Sequence, residues 1–168
     1  VLYRIINLLR KVQRHAMRRK TAAVCRATDE VLCVSIPKII HYCWFGGGPI
    51  SEADRKCMES WKKYCPDYKI IEWNEQNFEI SANRYAQQAY EAKKYAFVSD
   101  YVRLAVVYEY GGIYLDTDVE LVRPLDELLE LPGFMGFQNN NEVATGLGFG
   151  ACKGNPVVQA LLRDYDAL

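Results

Sequence analysis

The pattern of apolar and polar positions predicts short strands that alternate with amphipathic helices. From residue 36 onward, short apolar runs are followed by stretches in which apolar side chains recur at helical spacing. This alternation is typical of an α/β domain whose helices cover a sheet. Strands are predicted at 39–45, 68–73, 113–115, 119–122, 134–137 and 146–151, and helices at 51–64, 82–94, 97–110, 124–129 and from 155 onward.

Residues that favour helix ends support these boundaries. Ser51 precedes an apolar-periodic run and predicts an N-cap, since its hydroxyl can accept a bond from an unpaired backbone N–H. Gly111 and Gly112 follow another such run and predict a C-cap, because glycine tolerates the left-handed backbone that ends many helices. Asn155 and Pro156 predict a further helix start.

Composition and charge indicate one globular domain with no polyanionic partner. The 168 residues are 50% hydrophobic and 25% charged, so the chain can bury one sizeable core. Lysine and arginine (21) equal aspartate and glutamate (21) in number, so no overall positive field exists to hold nucleic acid. A charged partner must therefore be bound locally.

The cysteines and apolar runs indicate a reduced, cytoplasmic protein. None of the six cysteines forms a C-x-x-C pair, and two histidines are too few to favour a structural zinc site. We therefore expect reduced thiols. No apolar run approaches the ~20 residues that span a bilayer.

The first 35 residues differ in composition from the rest. Basic and apolar residues interleave at near-helical spacing in residues 2–20. We divide the chain into a basic helical extension, residues 1–35, and an α/β core, residues 36–168. The extension packs on the domain or a partner, or residues 1–20 make peripheral contact with the inner face of the cell membrane; the sequence leaves both open.

An acidic turn follows the predicted strand 113–115. Asp116 and Asp118 are separated by Thr117, and ligands of open α/β sheets bind beyond the carboxyl ends of strands. The two carboxylates serve one ligand only if the backbone turns there. One would then contact a sugar hydroxyl, while the other would hold Mg²⁺ or Mn²⁺, which keep positions open for diphosphate oxygens. The alternative is a solvated acidic turn.

Three residues near the start of the helix before this turn form a second candidate group. Asp100 and Arg103 share a helix face, and Ser99 lies beside them. Asp100 and Arg103 form an intrahelical ion pair, or Arg103 contacts phosphate or sugar while Asp100 accepts sugar hydroxyls.

Other positions have two interpretations each. Trp44 and Phe45 stack on a nucleobase or belong to the core. His41 is interpreted as a buried, hydrogen-bonded histidine. A polar loop lines an acceptor pocket or is a solvated turn; its residues are Asn139, Asn140, Asn141 and Thr145.

Four ordered blocks resemble glycosyltransferase family 32, which includes bacterial capsular and lipopolysaccharide transferases and is related to the large glucosylating toxins. The blocks are 36–47, 71–75, 94–104 and 110–119, and the resemblance runs from residue 36 to about 162. It implies a GT-A-type, Rossmann-like nucleotide-sugar-binding domain. Members usually continue further, so we expect this core to be truncated at its C-terminus.

The resemblance also implies a reaction and residue roles. A hexose would move from a nucleoside-diphosphate sugar, expected to be a UDP-sugar, to a glycan, polysaccharide or lipid-linked saccharide, with retention and with Mn²⁺ or Mg²⁺. By position, Trp44 matches the base-stacking aromatic, Ser99, Asp100 and Arg103 match donor contacts, Asp116 matches a ribose and sugar contact, and Asp118 matches the metal ligand. We assign Asp116 to the metal site as well, and Asp116, Asp118 and Arg103 to the catalytic centre. A non-catalytic binding remnant and a metal-dependent phosphoesterase remain alternatives.

Overall fold

The computed structural model describes residues 35–137 and 143–166. A mixed five-stranded sheet forms its centre, with strand order β2-β1-β3-β5-β4. The strands are β1 (Ile39–Cys43), β2 (Lys69–Trp73), β3 (Gly112–Tyr114), β4 (Gly133–Met135) and β5 (Phe149–Ala151). Strand β1 pairs in parallel with β2 and β3, whereas β5 runs antiparallel to both β3 and β4.

Five α-helices surround this sheet. They are α1 (Glu52–Tyr64), α2 (Arg84–Glu91), α3 (Tyr95–Tyr110), α4 (Asp126–Leu129) and α5 (Pro156–Asp166), with a 3-10 turn at Ile80–Ala82 before α2. The element order alternates strand and helix through β3, as the sequence pattern predicts. The predicted α/β fold class is therefore confirmed in its layered form.

Alternate residues of the central strands face two separate cores. Ile40 and Tyr42 pack with Trp61 of α1, while Cys43, the next residue in β1, packs with the helix α3. Because successive strand side chains point to opposite faces, one strand contributes to both cores. This places α1 and α3 on opposite faces of the sheet.

Local sequence signals explain where the helices begin and end. The Ser51 hydroxyl accepts a bond from Asp54 N at 3.1 Å, which confirms the predicted cap of α1. Gly111 ends α3 with φ at 67°, the left-handed region that only glycine adopts readily. Asn83 caps α2 through Ala86 N at 3.1 Å. The sequence missed this cap and started α2 too early.

Several predicted boundaries were wrong. Residues 119–122 lie in the described part and form no strand, although Val119 and Leu121 are buried in the core. Alternating apolar residues there anchor a loop beneath α1, where Trp61 Nε1 donates to Val119 O at 2.7 Å. Strand β1 ends at Cys43 rather than at 45, and β5 begins at Phe149 rather than at 146.

Some expectations fall outside the described residues. These include the basic helix at 2–20, the thiols of Cys25 and Cys33, and the asparagines at 139–141. Within the described chain, Cys43, Cys57 and Cys65 are buried free thiols. No described helix has the length and apolar character needed to cross a bilayer.

Candidate active site

A cleft of about 360 Å³ opens at the carboxyl ends of β1 and β3, beside the first turns of α3. Parallel strands β1 and β3 bring residues that are distant in sequence to this edge. Of the residues predicted for the site, Trp44, Ser99, Arg103, Asp116 and Asp118 line the cleft. Asp100, the remaining candidate, does not line the cleft itself but bonds to Arg103, which does.

The backbone turns at residues 116–119, which is the condition for Asp116 and Asp118 to act on one ligand. Val119 N donates to Asp116 O at 3.1 Å, which closes a tight turn over residues 116–119. This turn lets Asp116 and Asp118 line one cleft instead of pointing to opposite sides of a strand. Asp118 is exposed at the cleft, whereas Asp116 is half-buried.

Asp116 is held from three directions. Tyr114 Oη donates to its Oδ1 at 2.8 Å, Arg103 Nη1 lies 3.9 Å from its Oδ2, and its backbone N donates to Gly146 O at 3.1 Å. Burial raises the pKa of Asp116, and the Asp118 charge raises it further; Arg103 and the Tyr114 bond act in the opposite direction. A cation or a hydrogen-bond donor in the cleft would act in the same direction as Arg103 and favour the ionised form of this carboxyl group.

Arg103 is a buried cation with a fixed orientation. Its side chain is 8% exposed, and its Nη2 donates to Asp100 Oδ1 at 2.5 Å. Its Nε donates to Ser99 O at 3.1 Å, and its Nη1 lies 3.4 Å from Thr145 Oγ1. The guanidinium also lies 5.1 Å from the Tyr114 ring centroid.

The predicted ion pair between Asp100 and Arg103 is thus present, but it is more than a surface helix pair. Burial raises the pKa of Asp100, while the attraction of Arg103 lowers it. Arg103 lines the cleft, whereas Asp100 does not. A guanidinium is a fork of N–H donors, the geometry that suits phosphate and carboxylate oxygens.

Trp44 and Phe45 have different environments. Trp44 is half-buried and lines the cleft, and its indole Nε1 donates to Gly48 O at 2.7 Å. Phe45 is 7% exposed and belongs to the core beneath α3. The geometry therefore leaves the stacking interpretation open for Trp44, and Phe45 is a core residue that also borders the cleft.

The glycine loop after Trp44 is anchored rather than loose. Gly46 N donates to Glu75 Oε1 at 2.6 Å, and its φ is 89°. A Cβ at this position would lie 2.3 Å from the Tyr95 ring, which also lines the cleft. Glycine is therefore required here for both backbone conformation and close packing.

Buried polar groups beneath the site are satisfied. His41 is fully buried; Trp73 Nε1 donates to its Nδ1 at 3.0 Å, and its Nε2 lies 2.8 Å from Gly111 O. This confirms that His41 is a hydrogen-bonded core residue. Burial raises the pKa of the Cys43 thiol to about 12, so this cleft residue stays protonated and is a poor nucleophile.

Sequence reasoning missed two residues that shape the site. Tyr114 was treated only as part of an apolar strand, although it contacts both Asp116 and Arg103. Gly146 was assigned to a strand, but its missing side chain leaves room for the Asp116 carboxylate. Thr145, which the sequence placed either in a pocket-lining loop or in a solvated turn, lies beside Arg103. The sequence did contain one signal for Gly146, because a glycine within a predicted strand often marks a close approach of another group.

The acidic turn fits a hard divalent cation that has few protein ligands. In the described ranges, no group of three or more His, Cys, Asp or Glu side chains is arranged to enclose a metal. The exposed Asp118 and the half-buried Asp116 nevertheless supply oxygen ligands at one cleft. Mg²⁺ and Mn²⁺ sites of this type take their remaining oxygens from water and substrate phosphate.

A comparison with solved structures tests the predicted GT-A-type architecture. A solved structure, "PaToxG Glycosyltransferase", superposes with a TM-score of 0.63 at 22% identity, covering 77% of this chain and 59% of that one. At this identity the similarity concerns the fold, and it confirms the predicted architecture.

The chain belongs to the family described as the glycosyltransferase sugar-binding region containing a DXD motif, whose model matches residues 51–134. This segment includes Asp100, Arg103, Asp116 and Asp118. The predicted family and class of protein are therefore confirmed.

Curated relatives are named as glycosyltransferases. Inositol phosphoceramide mannosyltransferase 3 of Schizosaccharomyces pombe is 31% identical over 77% of this chain and 37% of its own length. Mannosyl phosphorylinositol ceramide synthase SUR1 of Saccharomyces cerevisiae is 34% identical over 60% of this chain and 27% of its own length. Human alpha-1,4-N-acetylglucosaminyltransferase is 34% identical over 40% of this chain and 18% of its own length. The chain thus spans about a third or less of these relatives.

Proposed function

We propose that this domain binds a nucleoside-diphosphate hexose and transfers the hexose to a hydroxyl of a glycan or lipid acceptor, with retention of anomeric configuration. The observation that carries the proposal is the convergence of Arg103, Asp116 and Asp118 on one cleft that Trp44 also lines. A buried guanidinium and two carboxylates match the two parts of such a donor, its anionic diphosphate and its neutral hydroxyls.

The donor's orientation follows from the chemistry of the lining groups. The half-buried Trp44 ring supports stacking on the nucleobase at the outer end of the cleft. The diphosphate would lie near Asp118 and its cation, with Arg103 facing the negative charge that develops as the sugar leaves. Asp116 and Asp100 would accept hydroxyl protons from ribose and sugar.

The proposed reaction requires no nucleophile from the protein. The bond between the anomeric carbon and the diphosphate oxygen breaks, and the acceptor oxygen bonds to that carbon from the same face. The acceptor's proton passes to the departing diphosphate oxygen. Arg103 is already oriented by Asp100 and the Ser99 carbonyl, so its stabilisation of the leaving charge requires little reorganisation.

A divalent cation would be held by Asp118 together with Asp116. It would supply Lewis-acid stabilisation of the diphosphate. Burial and the Asp118 charge raise the pKa of Asp116 and so disfavour its ionised form. A cation bound at the turn would have the opposite effect and favour the carboxylate.

The relatives' names narrow the proposed sugar and acceptor. Two relatives are named inositol phosphoceramide mannosyltransferases, and a third is named a mannosyl phosphorylinositol ceramide synthase. We therefore propose mannose as the transferred hexose and an inositol-phosphate lipid as the acceptor class. N-acetylglucosamine is the second candidate sugar, because one relative is named for its transfer.

Hydrolysis of nucleotide sugars in the absence of acceptor tests this function. The protein would be incubated with a panel of UDP- and GDP-hexoses and Mn²⁺ or Mg²⁺, and the products separated. We expect slow release of free hexose and nucleoside diphosphate, lost in Asp118→Ala. Release of sugar phosphate and nucleoside monophosphate would instead identify a phosphoesterase, and binding without any cleavage would identify a binding remnant.

A further inference from the structure

The glycine loop, residues 46–48, is tied to a distant part of the chain by one carboxylate. Gly46 N donates to Glu75 Oε1 at 2.6 Å. Glu75 lies in the connection between β2 and α2, 29 residues further along the chain. The glycine loop is exposed, and Gly46 directly follows Phe45, which lines the cleft. A charged acceptor therefore anchors an exposed loop at the border of the candidate active site.

The glycine loop fixes the orientation of the Trp44 ring. The backbone N of Trp44 donates to Trp73 O at 2.9 Å, at the end of β2. Its indole Nε1 donates instead to Gly48 O at 2.7 Å. The sheet thus holds the backbone of Trp44, whereas the glycine loop holds the ring that lines the cleft.

Two tyrosines pack behind the anchored loop. A Cβ at Gly46 would lie 2.3 Å from the Tyr95 ring, so this ring packs directly on the loop backbone. Tyr95 is the first residue of α3 and lines the cleft, and its ring centroid lies 5.7 Å from that of Tyr90 on α2. The loop is therefore held between the Glu75 carboxylate and an aromatic wall.

The charge of Glu75 has opposite effects on the loop and on an anionic ligand. Burial raises the pKa of Glu75, but bonds from the Gly46 N–H and from its own N–H lower it to below its ordinary value. The group is therefore ionised at neutral pH and is a strong acceptor. A negative charge near the cleft repels a diphosphate, so its removal alone would strengthen nucleotide binding, whereas loss of the anchor would weaken it.

We propose that Glu75 is a positioning residue, which fixes the glycine loop and thereby holds the Trp44 ring in the orientation that stacks on the nucleobase. Glu75 does not line the cleft, so it acts through Trp44 and not by contact with the ligand. This inference rests on the proposed function, which supplies the nucleobase.

Acrylamide quenching of tryptophan fluorescence tests the anchor in the free protein. The chain has three tryptophans, and Trp61 and Trp73 are only 0% and 8% exposed, so quenching reports mainly on the half-buried Trp44. We expect stronger quenching in Glu75→Ala than in the wild type. Glu75→Gln should stay close to the wild type, because its amide oxygen still accepts a bond from Gly46 N.

Calorimetric titration with nucleoside diphosphate and Mn²⁺ tests the consequence for binding. Glu75→Ala should weaken binding about fivefold, the effect of one lost hydrogen bond, and Glu75→Gln should restore most of the affinity. In donor hydrolysis the same variant should raise KM and leave kcat unchanged, because base stacking is equal in the ground state and the transition state. In a Trp44→Ala background, Glu75→Ala should cause no further loss.

Glu79→Ala is the matched control. Glu79 is an exposed carboxylate in the same connection between β2 and α2, and it accepts a bond from Ser81 Oγ at 3.4 Å instead of from the glycine loop. Its replacement should change neither quenching nor nucleotide affinity.

Equal quenching and equal affinity in Glu75→Ala and the wild type would overturn the positioning role. A loss of affinity that persists in the Trp44→Ala background, or that follows a loss of folding in urea titrations, would overturn it as well. A wild-type protein that binds no nucleoside diphosphate would overturn the proposed function. The quenching comparison needs no nucleotide, so these two failures are distinguishable.

Discussion

A single methyl group at Gly146 should disable the site without unfolding the domain. A Cβ at this position would lie 2.2 Å from Asp116 Oδ2 and 2.9 Å from Arg103 Nη1. Ordinary contact begins at 3.4 Å, so the carboxylate must move by more than 1 Å. The backbone of Gly146 is not in the positive-φ region, so alanine introduces no backbone strain there.

The expected effect on activity is larger than the effect on stability. Moving Asp116 disrupts its 2.8 Å bond from Tyr114, a loss of about 1 kcal/mol in unfolding free energy. A displacement of ~1 Å in a group that orients the substrate costs roughly 100-fold in rate. Gly146→Ala should therefore lower kcat/KM about 100-fold while the protein stays folded.

The assay combines donor hydrolysis with urea unfolding of the same preparations. Gly48→Ala is the matched control, since a Cβ at Gly48 meets nothing within 4 Å and its φ is not positive. Wild-type turnover in Gly146→Ala would refute the claim that Asp116 must occupy its present position. Loss of folding in Gly146→Ala would refute the claim that only mobile side-chain ends are displaced.

Three further changes test separate parts of the structure. Arg103→Lys should weaken nucleoside diphosphate binding about tenfold in calorimetry. The reason is that one ammonium cannot reproduce the guanidinium's bonds to Asp100 and the Ser99 carbonyl. Unchanged affinity would exclude a contact between Arg103 and phosphate. Ser51→Ala should lower the unfolding free energy in urea by about 1 kcal/mol through loss of the α1 cap, with nucleotide affinity unaltered. Burial lowers the pKa of His41 below its ordinary value of 6.5, so the unfolded chain binds more protons than the folded one at acidic pH. The free energy of unfolding should therefore fall as the pH drops below that value, by up to about 1.4 kcal/mol per pH unit. His41→Gln should remove this slope from urea titrations between pH 7 and 5, whereas His15→Gln, the control at the other histidine, should retain it.

The sequence predicted the elements whose signals are local. Apolar periodicity and the caps at Ser51 and Gly111 located α1 and the end of α3, because these features depend on a few neighbouring residues. The same reasoning gave a wrong prediction for residues 119–122. Their alternating apolar side chains are buried by packing beneath Trp61, and the segment makes no more than a single β-bridge, at Glu120.

The site was predictable where chemistry lies in short motifs. Asp116, Asp118, Asp100 and Arg103 were identified from spacing and from the family resemblance, and the structure brings them together. Gly146 was not predictable, since its role depends on the approach of a segment that is distant in sequence from Asp116.

The central claim is that the acidic turn binds a nucleotide sugar through a divalent cation. Calorimetric titration of the best-bound nucleotide hexose, with and without Mn²⁺, tests this directly in the wild type, in Asp118→Ala and in Glu127→Ala, an exposed carboxylate on α4 outside the cleft. We predict binding that requires Mn²⁺, is retained in Glu127→Ala and is lost in Asp118→Ala. Binding of equal strength in Asp118→Ala, or binding indifferent to the cation, would contradict the account.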